Sequence, residues 1–344
     1  MTNTIKYLDA KSGIPLYGFD FIGVIDRGTN VIELKPLTLC NLKCRYCFVS
    51  AGDYSNNFIV DPNYLIEKVD ELIEIKGRNG IEIHFAPYGE ILLYPKLIEL
   101  IEKLWKIEGI EVISMQSNGL LLNREIIKNL EKANLTRINI SLNSLNEEKS
   151  GYLCDCKDYN MNSLLKNIDV LLSSKINVLI APVWFPGIND IDIEEIIKFI
   201  IEGRNKGQSE GTLLIGIQKY LRYKTGRKLK KIRPKSWGYF YKQLTRLEKK
   251  HDIKLKLGPR DFNIHKRKKF PTLELRKDNI IGLTVISQGR WENEYIGKIN
   301  DNLGIKLLVN KRFFDFKNII GKDIKAKIIK ANYKDNILTA LFPI

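Results

Sequence analysis

Cys40-Asn41-Leu42-Lys43-Cys44-Arg45-Tyr46-Cys47 decides how the rest of this chain is read. Three of the five cysteines stand in these eight residues, spaced C-x3-C-x2-C, with an aromatic residue just before the last. Thiolates at that spacing on a loop can converge on three irons of one cubane cluster and leave the fourth iron without a protein ligand. An open iron can bind and activate a small molecule, whereas a fully ligated cluster mainly transfers electrons. A structural zinc site would need a fourth ligand, usually from a second paired half-site. The remaining candidates are Cys154, Cys156, His84, His251 and His265, and none forms such a pair near the first. A disulfide is disfavoured, because three closely spaced cysteines leave one unpaired. The cluster is the favoured reading; zinc and incidental thiols are the alternatives.

With 344 residues, 44% hydrophobic and 28% charged, the chain can bury a large core and has room for two domains or one with an appendage. No run approaches the ~20 apolar residues of a membrane span, so no membrane partner is expected. Met1 to Ala10 lacks the basic and apolar blocks of a signal peptide. Five cysteines, three of them in a reactive-looking group, point to a reducing cytoplasm. The formal charge of +16 is regional: Lys219 to Lys277 holds 22 Lys and Arg against four acids, a surplus of +18 that leaves −2 for the rest. Such asymmetry suggests a polyanionic partner such as nucleic acid, the alternative being a solvated lysine-rich face.

Residues 1–30 carry Gly13, Pro15, Gly18 and Gly23 between apolar residues and read as short strands or a hairpin. Asn30 to Leu37 alternates apolar and polar residues, as a strand does, and leads into the cysteines. A helix–strand rhythm follows, the mark of a parallel sheet wrapped by helices. Asp61 caps a helix through Leu65, Val69, Leu72 and Ile73, before the strand Ile81 to Phe85. Helices over Pro95 to Ile107, Arg124 to Lys132, Asn160 to Ser173 and Ile193 to Ile201 alternate with further strands. Those strands are Val112 to Met115, Arg137 to Leu142, Asn177 to Ala181 and Leu213 to Ile217. Counting the strand before the cysteines, there are six strand–helix units over residues 31–220, too few for a closed eight-stranded barrel. Residues 221–277 form a basic segment with a helix from Ser236 to Lys250. Residues 278–344 read as five short strands between Gly and Asn turns, a small antiparallel β-barrel.

The cysteine stretch resembles, position by position, that of the radical S-adenosylmethionine (SAM) superfamily, with Tyr46 where the family carries its aromatic residue. The resemblance covers roughly Val31 to Tyr220 and implies an α/β fold, an open six-unit (β/α)6 partial TIM barrel. It also implies a [4Fe–4S] cluster on Cys40, Cys44 and Cys47, with S-adenosyl-L-methionine chelated at the open iron. Reductive cleavage of that cofactor would yield a 5′-deoxyadenosyl radical that abstracts hydrogen from the substrate. In barrels of this kind function gathers at the carboxyl ends of the strands, where each further motif falls. Ala86-Pro87-Tyr88-Gly89-Glu90-Ile91 matches the family's G-G-E-P-like element at Gly89 and Glu90 and departs from it at Tyr88 and Ile91. The resemblance assigns Glu90 to the methionine amine; a carboxylate suits that cation, and a glycine admits close backbone approach.

Gln116-Ser117-Asn118-Gly119 is similar to the family's T-N-G turn, which places Ser117 at the cofactor; a plain tight turn is the alternative. Ser141-Leu142-Asn143 stands where the family places contacts to the cofactor's ribose or carboxylate. Strand alternation would put Ser141 and Asn143 on one side of the sheet. Val183 to Gly187 and Gly216 to Gln218 end the last two strands, where the adenine is commonly held. Cys154 and Cys156 read equally as a hydrogen donor, a carrier, a metal site or two inert thiols. The ending Ile320 to Ile328, then Asn336 to Ala340, looks like a TRAM (OB-like) domain, a small RNA-binding barrel.

These features together favour an RNA substrate, transfer RNA foremost, and an electron donor such as ferredoxin or flavodoxin. In the basic segment Tyr220, Tyr223, Trp237, Tyr239, Tyr241, Phe262 and Phe270 interleave with cations, as a surface that stacks on unpaired bases would. Methylthiotransferases pair the same two domains but begin with a further cysteine-bearing domain; the thirty-nine residues before Cys40 contain no cysteine, so that activity is disfavoured. A radical enzyme acting on a peptide or small molecule, and a non-catalytic RNA-binding iron–sulfur protein, are the alternatives.

Overall fold

A computed structural model describes residues 4–230, 232–271, 273–310, 319–332, 335 and 337–343. Lys231 of the basic segment and Asn336 of the TRAM-like ending lie outside the described residues. The chain opens with Thr4–Leu8 (β1), Gly23–Asp26 (β2), Val31–Lys35 (β3) and Asn56–Val60 (β4). Pro62–Lys76 (α1), Ile81–Phe85 (β5), Leu97–Leu104 (α2), Ile110–Ser117 (β6), Arg124–Lys132 (α3) and Arg137–Ile140 (β7) follow. Next come Glu147–Cys154 (α4), Met161–Leu172 (α5), Asn177–Ile180 (β8), Val183–Trp184 (β9), Asp190–Asn205 (α6), Leu213–Ile215 (β10), Gln218–Lys219 (β11) and Trp237–His251 (α7). The last elements are Ile280–Gln288 (β12), Glu294–Asn300 (β13), Leu303–Val309 (β14), Asp323–Asn332 (β15) and Ile337–Phe342 (β16).

Two compact units emerge. One comprises Met1–Leu39, Asp53–Glu111 and His265–Ile344; the other comprises Cys40–Gly52 and Val112–Ile264. In the first, β2 runs antiparallel to β3 and β3 runs parallel to β5, with Val31 opposite Glu82 and Leu34 opposite Phe85. Asp61 accepts the Asn63 N–H to cap α1, whose Leu65, Val69, Leu72 and Ile73 are fully buried. Of the two readings of residues 1–30, short strands or a hairpin, the structure has short strands, β1 and β2, each with a partner elsewhere. β2 turns back on β3, while β1 pairs in parallel with β4, a strand absent from the sequence reading. All five β4 residues are buried, so its side chains lack the alternation that reveals a half-exposed strand.

In the same unit β12 to β16 close a five-stranded barrel in the order β12-β13-β14-β16-β15. It is not wholly antiparallel: β14 and β16 run parallel, Lys306 facing Thr339. The barrel seats on the N-terminal segment through backbone. Gly304 N–H donates to the Tyr17 carbonyl at 2.8 Å, and Leu338 N–H to the Gly18 carbonyl at 3.1 Å. A Cβ on Gly18 would stand 1.9 Å from the Gly304 oxygen, so only glycine allows this approach. Beside it Lys306 pairs with Asp20 at 2.9 Å.

In the second unit β6, β7, β8 and β10 lie side by side in that order, all parallel. Ile138, Ile140, Val178 and Ile180 are fully buried, as in a sheet covered on both faces. β9 and β11 form a separate short parallel pair, and Ser236 caps α7 by accepting the Tyr239 N–H. Helix α4 occupies what reads as a plain connection, and Cys154 is its last residue. The fold class is the one the sequence implies: α/β, a partial barrel of parallel strands, plus a closed C-terminal barrel of five strands.

Candidate active site

The cysteine loop belongs to the second unit and is tied down by one residue far along the chain. Arg227 donates from Nε to the Cys44 carbonyl at 2.7 Å, from Nη2 to the Ala51 carbonyl at 2.8 Å, and from its backbone to the Cys47 carbonyl at 2.8 Å. Arg45 fastens the loop to the end of α4. Its backbone N–H reaches the Leu153 carbonyl at 2.9 Å, its Nε the Tyr152 carbonyl at 2.8 Å, and its Nη2 the Asp155 carboxylate at 2.6 Å. Cys40, Cys44 and Cys47 are all partly accessible, while Cys154 is buried.

The hydrogen bond between the Cys44 and Cys154 thiols pushes the Cys44 thiol well up, burial adds to this, and Tyr46 and Arg227 oppose it. Burial pushes the Cys47 thiol up, against the backbone N–H groups of Val49 and Ala51 and the charge of Arg227. Among the described residues no three Cys, His, Asp or Glu side chains are gathered as a metal-binding group. The donor set nevertheless suits an iron–sulfur cluster. It consists of thiols alone, on a loop tied at three carbonyls, with N–H groups on the Cys47 sulfur that favour its thiolate.

Tyr46, half-buried, and Asn143, buried, form a brace. The Tyr46 hydroxyl accepts from Asn143 Nδ2 at 2.6 Å, and its ring packs 4.7 Å from that of Phe185. Asn143 Oδ1 accepts the Val183 N–H at 2.7 Å, and its carbonyl accepts from Asn189 Nδ2 at 2.9 Å. Asn189 Oδ1 in turn accepts the Phe185 N–H at 2.7 Å. Asn143→Ala would leave the Val183 N–H and the Tyr46 hydroxyl without these partners. The expected cost is about 2–4 kcal/mol, read as a lower midpoint in urea denaturation.

β7 ends at Ile140, so Ser141 and Asn143 lie on the following connection and the alternation expected for them does not apply. Ser141 Oγ accepts from Gln116 Nε2 at 2.9 Å. The Ser117 hydroxyl, buried, accepts the Gly119 N–H at 2.9 Å and so shapes the turn itself. Asn118 Oδ1 accepts the Leu120 N–H at 3.0 Å, and Nδ2 reaches Asn41 Oδ1 in the cysteine loop at 2.9 Å. Arg227, Gln116 and Asn41 were not singled out by the sequence. Arg227 counted there only as one charge among many.

In the first unit Glu90 is buried, accepts the Leu92 N–H at 3.1 Å and donates its own N–H to the Leu39 carbonyl at 2.7 Å. Leu39 directly precedes Cys40 in the chain. A Cβ on Gly89 would lie 2.0 Å from the Leu39 oxygen, so the turn closes on that backbone only with glycine there. Lys35 Nζ donates to the Ala86 carbonyl at the start of the same turn.

Residues 34–200 match the radical SAM superfamily. The uncharacterized protein MJ0103 of Methanocaldococcus jannaschii is 34% identical, over 97% of this chain and 80% of its own length. The chain belongs to the radical SAM superfamily. The GTP 3′,8-cyclase of Aquifex aeolicus is 31% identical over 51% of this chain and 54% of its own, so this chain spans about half the length of that relative. Among solved structures, the FeFe-hydrogenase maturase HydG from Carboxydothermus hydrogenoformans superposes with a TM-score of 0.53 at 15% identity. It covers 63% of this chain and 50% of that one, a likeness of fold alone. As a radical SAM enzyme the protein uses a [4Fe–4S] cluster and S-adenosylmethionine, and it needs a reductant. Among the described residues no helix is long and apolar enough to cross a membrane.

Proposed function

We propose that this radical SAM enzyme modifies RNA, transfer RNA foremost. In this reading Cys40, Cys44 and Cys47 hold the cluster, Gly89 and Glu90 receive the methionine ammonium, Ser141 and Asn143 steady the nucleoside, and Ser117 shapes the turn beside it. Asn143 and Tyr46 set the backbone around it. When bound, the cluster and S-adenosylmethionine supply a 5′-deoxyadenosyl radical; the protein binds, orients and shields. A ferredoxin or flavodoxin would deliver the electron, in the reducing cytoplasm that the thiols require.

One observation carries the choice of RNA. Trp237, Tyr239 and Tyr241, on the first turns of α7, are exposed, at 52%, 43% and 48%. Side chains of this size normally bury most of their surface. The Trp237 and Tyr241 rings stack 5.9 Å apart, and Tyr239 stacks on Trp184 at 6.0 Å. Lys219 Nζ lies 4.9 Å from the Trp237 ring, and Lys235 Nζ 5.5 Å from that of Tyr239. Ordered rings flanked by cations suit unpaired bases and their phosphates. The closed C-terminal barrel fits the same reading as a TRAM-like RNA-binding module. Of the other expected aromatics, Tyr220 is buried and Phe270 stacks on Tyr17 at 4.1 Å, so these two serve packing.

A nucleotide-sized substrate is the second reading, favoured by the likeness to GTP 3′,8-cyclases. The test is 5′-deoxyadenosine formed by the reconstituted, reduced protein, with and without bulk tRNA from a strain lacking the gene. A rise with that tRNA supports RNA modification; a rise with nucleoside triphosphates alone supports the second reading. In parallel, Lys219→Ala with Lys235→Ala is expected to flatten the salt dependence of tRNA binding by about 2 in log–log slope. Trp237→Ala should weaken binding about 10-fold with the slope unchanged. Salt-independent binding would count against an RNA substrate.

A further inference from the structure

Tyr88 is one of the two positions where the Ala86-to-Ile91 element departs from the family's pattern, and the first unit builds a specific setting around it. Two cations approach its ring: Lys35 Nζ at 4.8 Å and the Arg290 guanidinium at 5.6 Å. Lys35 closes β3 and also holds the Ala86 carbonyl of the same turn. Arg290 comes from the C-terminal barrel, in the connection between β12 and β13.

Arg290 is almost wholly buried and tightly held. It makes two hydrogen bonds to the Glu294 carboxylate, at 2.9 and 2.8 Å, and lies over the Phe21 ring at 4.3 Å. Its carbonyl accepts the N–H groups of Ser55 at 2.8 Å and Asn56 at 3.2 Å, and Asn56 Nδ2 donates to the Gly289 carbonyl at 2.8 Å. The hairpin end is thereby pinned beside β4. Acids balance both cations, since Glu33 lies 3.7 Å from Lys35 and Asp20 lies 4.0 Å from Arg290. Away from water, a cation over an aromatic face interacts far more strongly than at an exposed surface. A glycine at position 88 would offer no ring to either cation.

We infer that Arg290 and Tyr88 make the C-terminal barrel a positioning element for the Gly89–Glu90 turn, so that affinity for S-adenosylmethionine depends on how the β12–β13 hairpin is seated. Tyr88 is the contact that links them, and Lys35 fixes the other end of the turn. This rests on the reading that Glu90 receives the methionine ammonium.

The test is calorimetric binding of S-adenosylmethionine to the full-length, anaerobically reconstituted, unreduced protein, with iron content and melting temperature measured alongside. Tyr88→Leu, which removes the ring, is expected to weaken binding about 10-fold at unchanged iron content, while Tyr88→Phe, which keeps it, stays within about 2-fold. Arg290→Met should weaken binding to a similar degree, and Tyr88→Leu combined with Arg290→Met should be no worse than either alone, as for two residues acting through one contact. Should Arg290→Met fail to fold because Glu294 is left buried and unpaired, Arg290→Met with Glu294→Leu removes both charges and takes its place in the cycle. Unchanged affinity in Tyr88→Leu, or fully additive losses in the cycle, would overturn the inference. Glu90→Gln separates the two failures. If it abolishes binding while Tyr88→Leu does not weaken it, only the coupling to the barrel is wrong. If Glu90→Gln binds normally, the underlying reading of Glu90 fails and the inference falls with it.

Discussion

Gly89→Ala is expected to destroy binding of S-adenosylmethionine and to cost about 3 kcal/mol or more of stability, because the added methyl group has nowhere to go. Its Cβ would sit 2.0 Å from the Leu39 oxygen, 2.7 Å from the Leu39 carbonyl carbon and 2.8 Å from that of Thr38. All three are backbone atoms, and backbone cannot swing aside as a flexible side chain does. The turn must therefore retreat, breaking the 2.7 Å bond from Glu90 N–H to the Leu39 carbonyl and displacing the Glu90 carboxylate with it. Gly258→Ala is the matched control: nothing stands within 4 Å of its Cβ, so that change should stay within about 0.5 kcal/mol of the original. Urea denaturation and calorimetry on the two variants check this, and a Gly89→Ala protein that binds normally would show that the turn has slack.

Cys44→Ala and Cys47→Ala should each reduce bound iron and 5′-deoxyadenosine formation to background, since two thiols cannot hold the cluster with one iron left open. Cys154→Ala should behave in the opposite way. It removes a buried thiol outside the C-x3-C-x2-C stretch, and iron should enter as readily as in the unchanged protein. Iron analysis and visible absorbance after reconstitution separate the cases. Loss of iron in Cys154→Ala, with retention in Cys44→Ala, would reassign the ligand set.

The chain by itself determined whatever depends on neighbours within a few residues. The C-x3-C-x2-C spacing, the Asp61 cap with its buried stripe Leu65, Val69, Leu72 and Ile73, and the five strands between Ile280 and Phe342 are local patterns, legible because side-chain periodicity reports which face is covered. Tertiary structure alone decided the rest. β4 carries no alternation because both its faces are covered, and its pairing with β1 joins residues about fifty positions apart. Arg227 reaches Cys44 across 183 positions, and Arg290 reaches Tyr88 from the far end of the chain. In the sequence both arginines look like any other solvated cation. Asn143, read as a contact to the cofactor, also joins Tyr46 to Val183, a link that no local pattern announces because its strand ends three residues earlier. Such roles depend on which distant backbone or ring the folded chain brings alongside, and a buried polar group takes the partner that replaces the water it has lost.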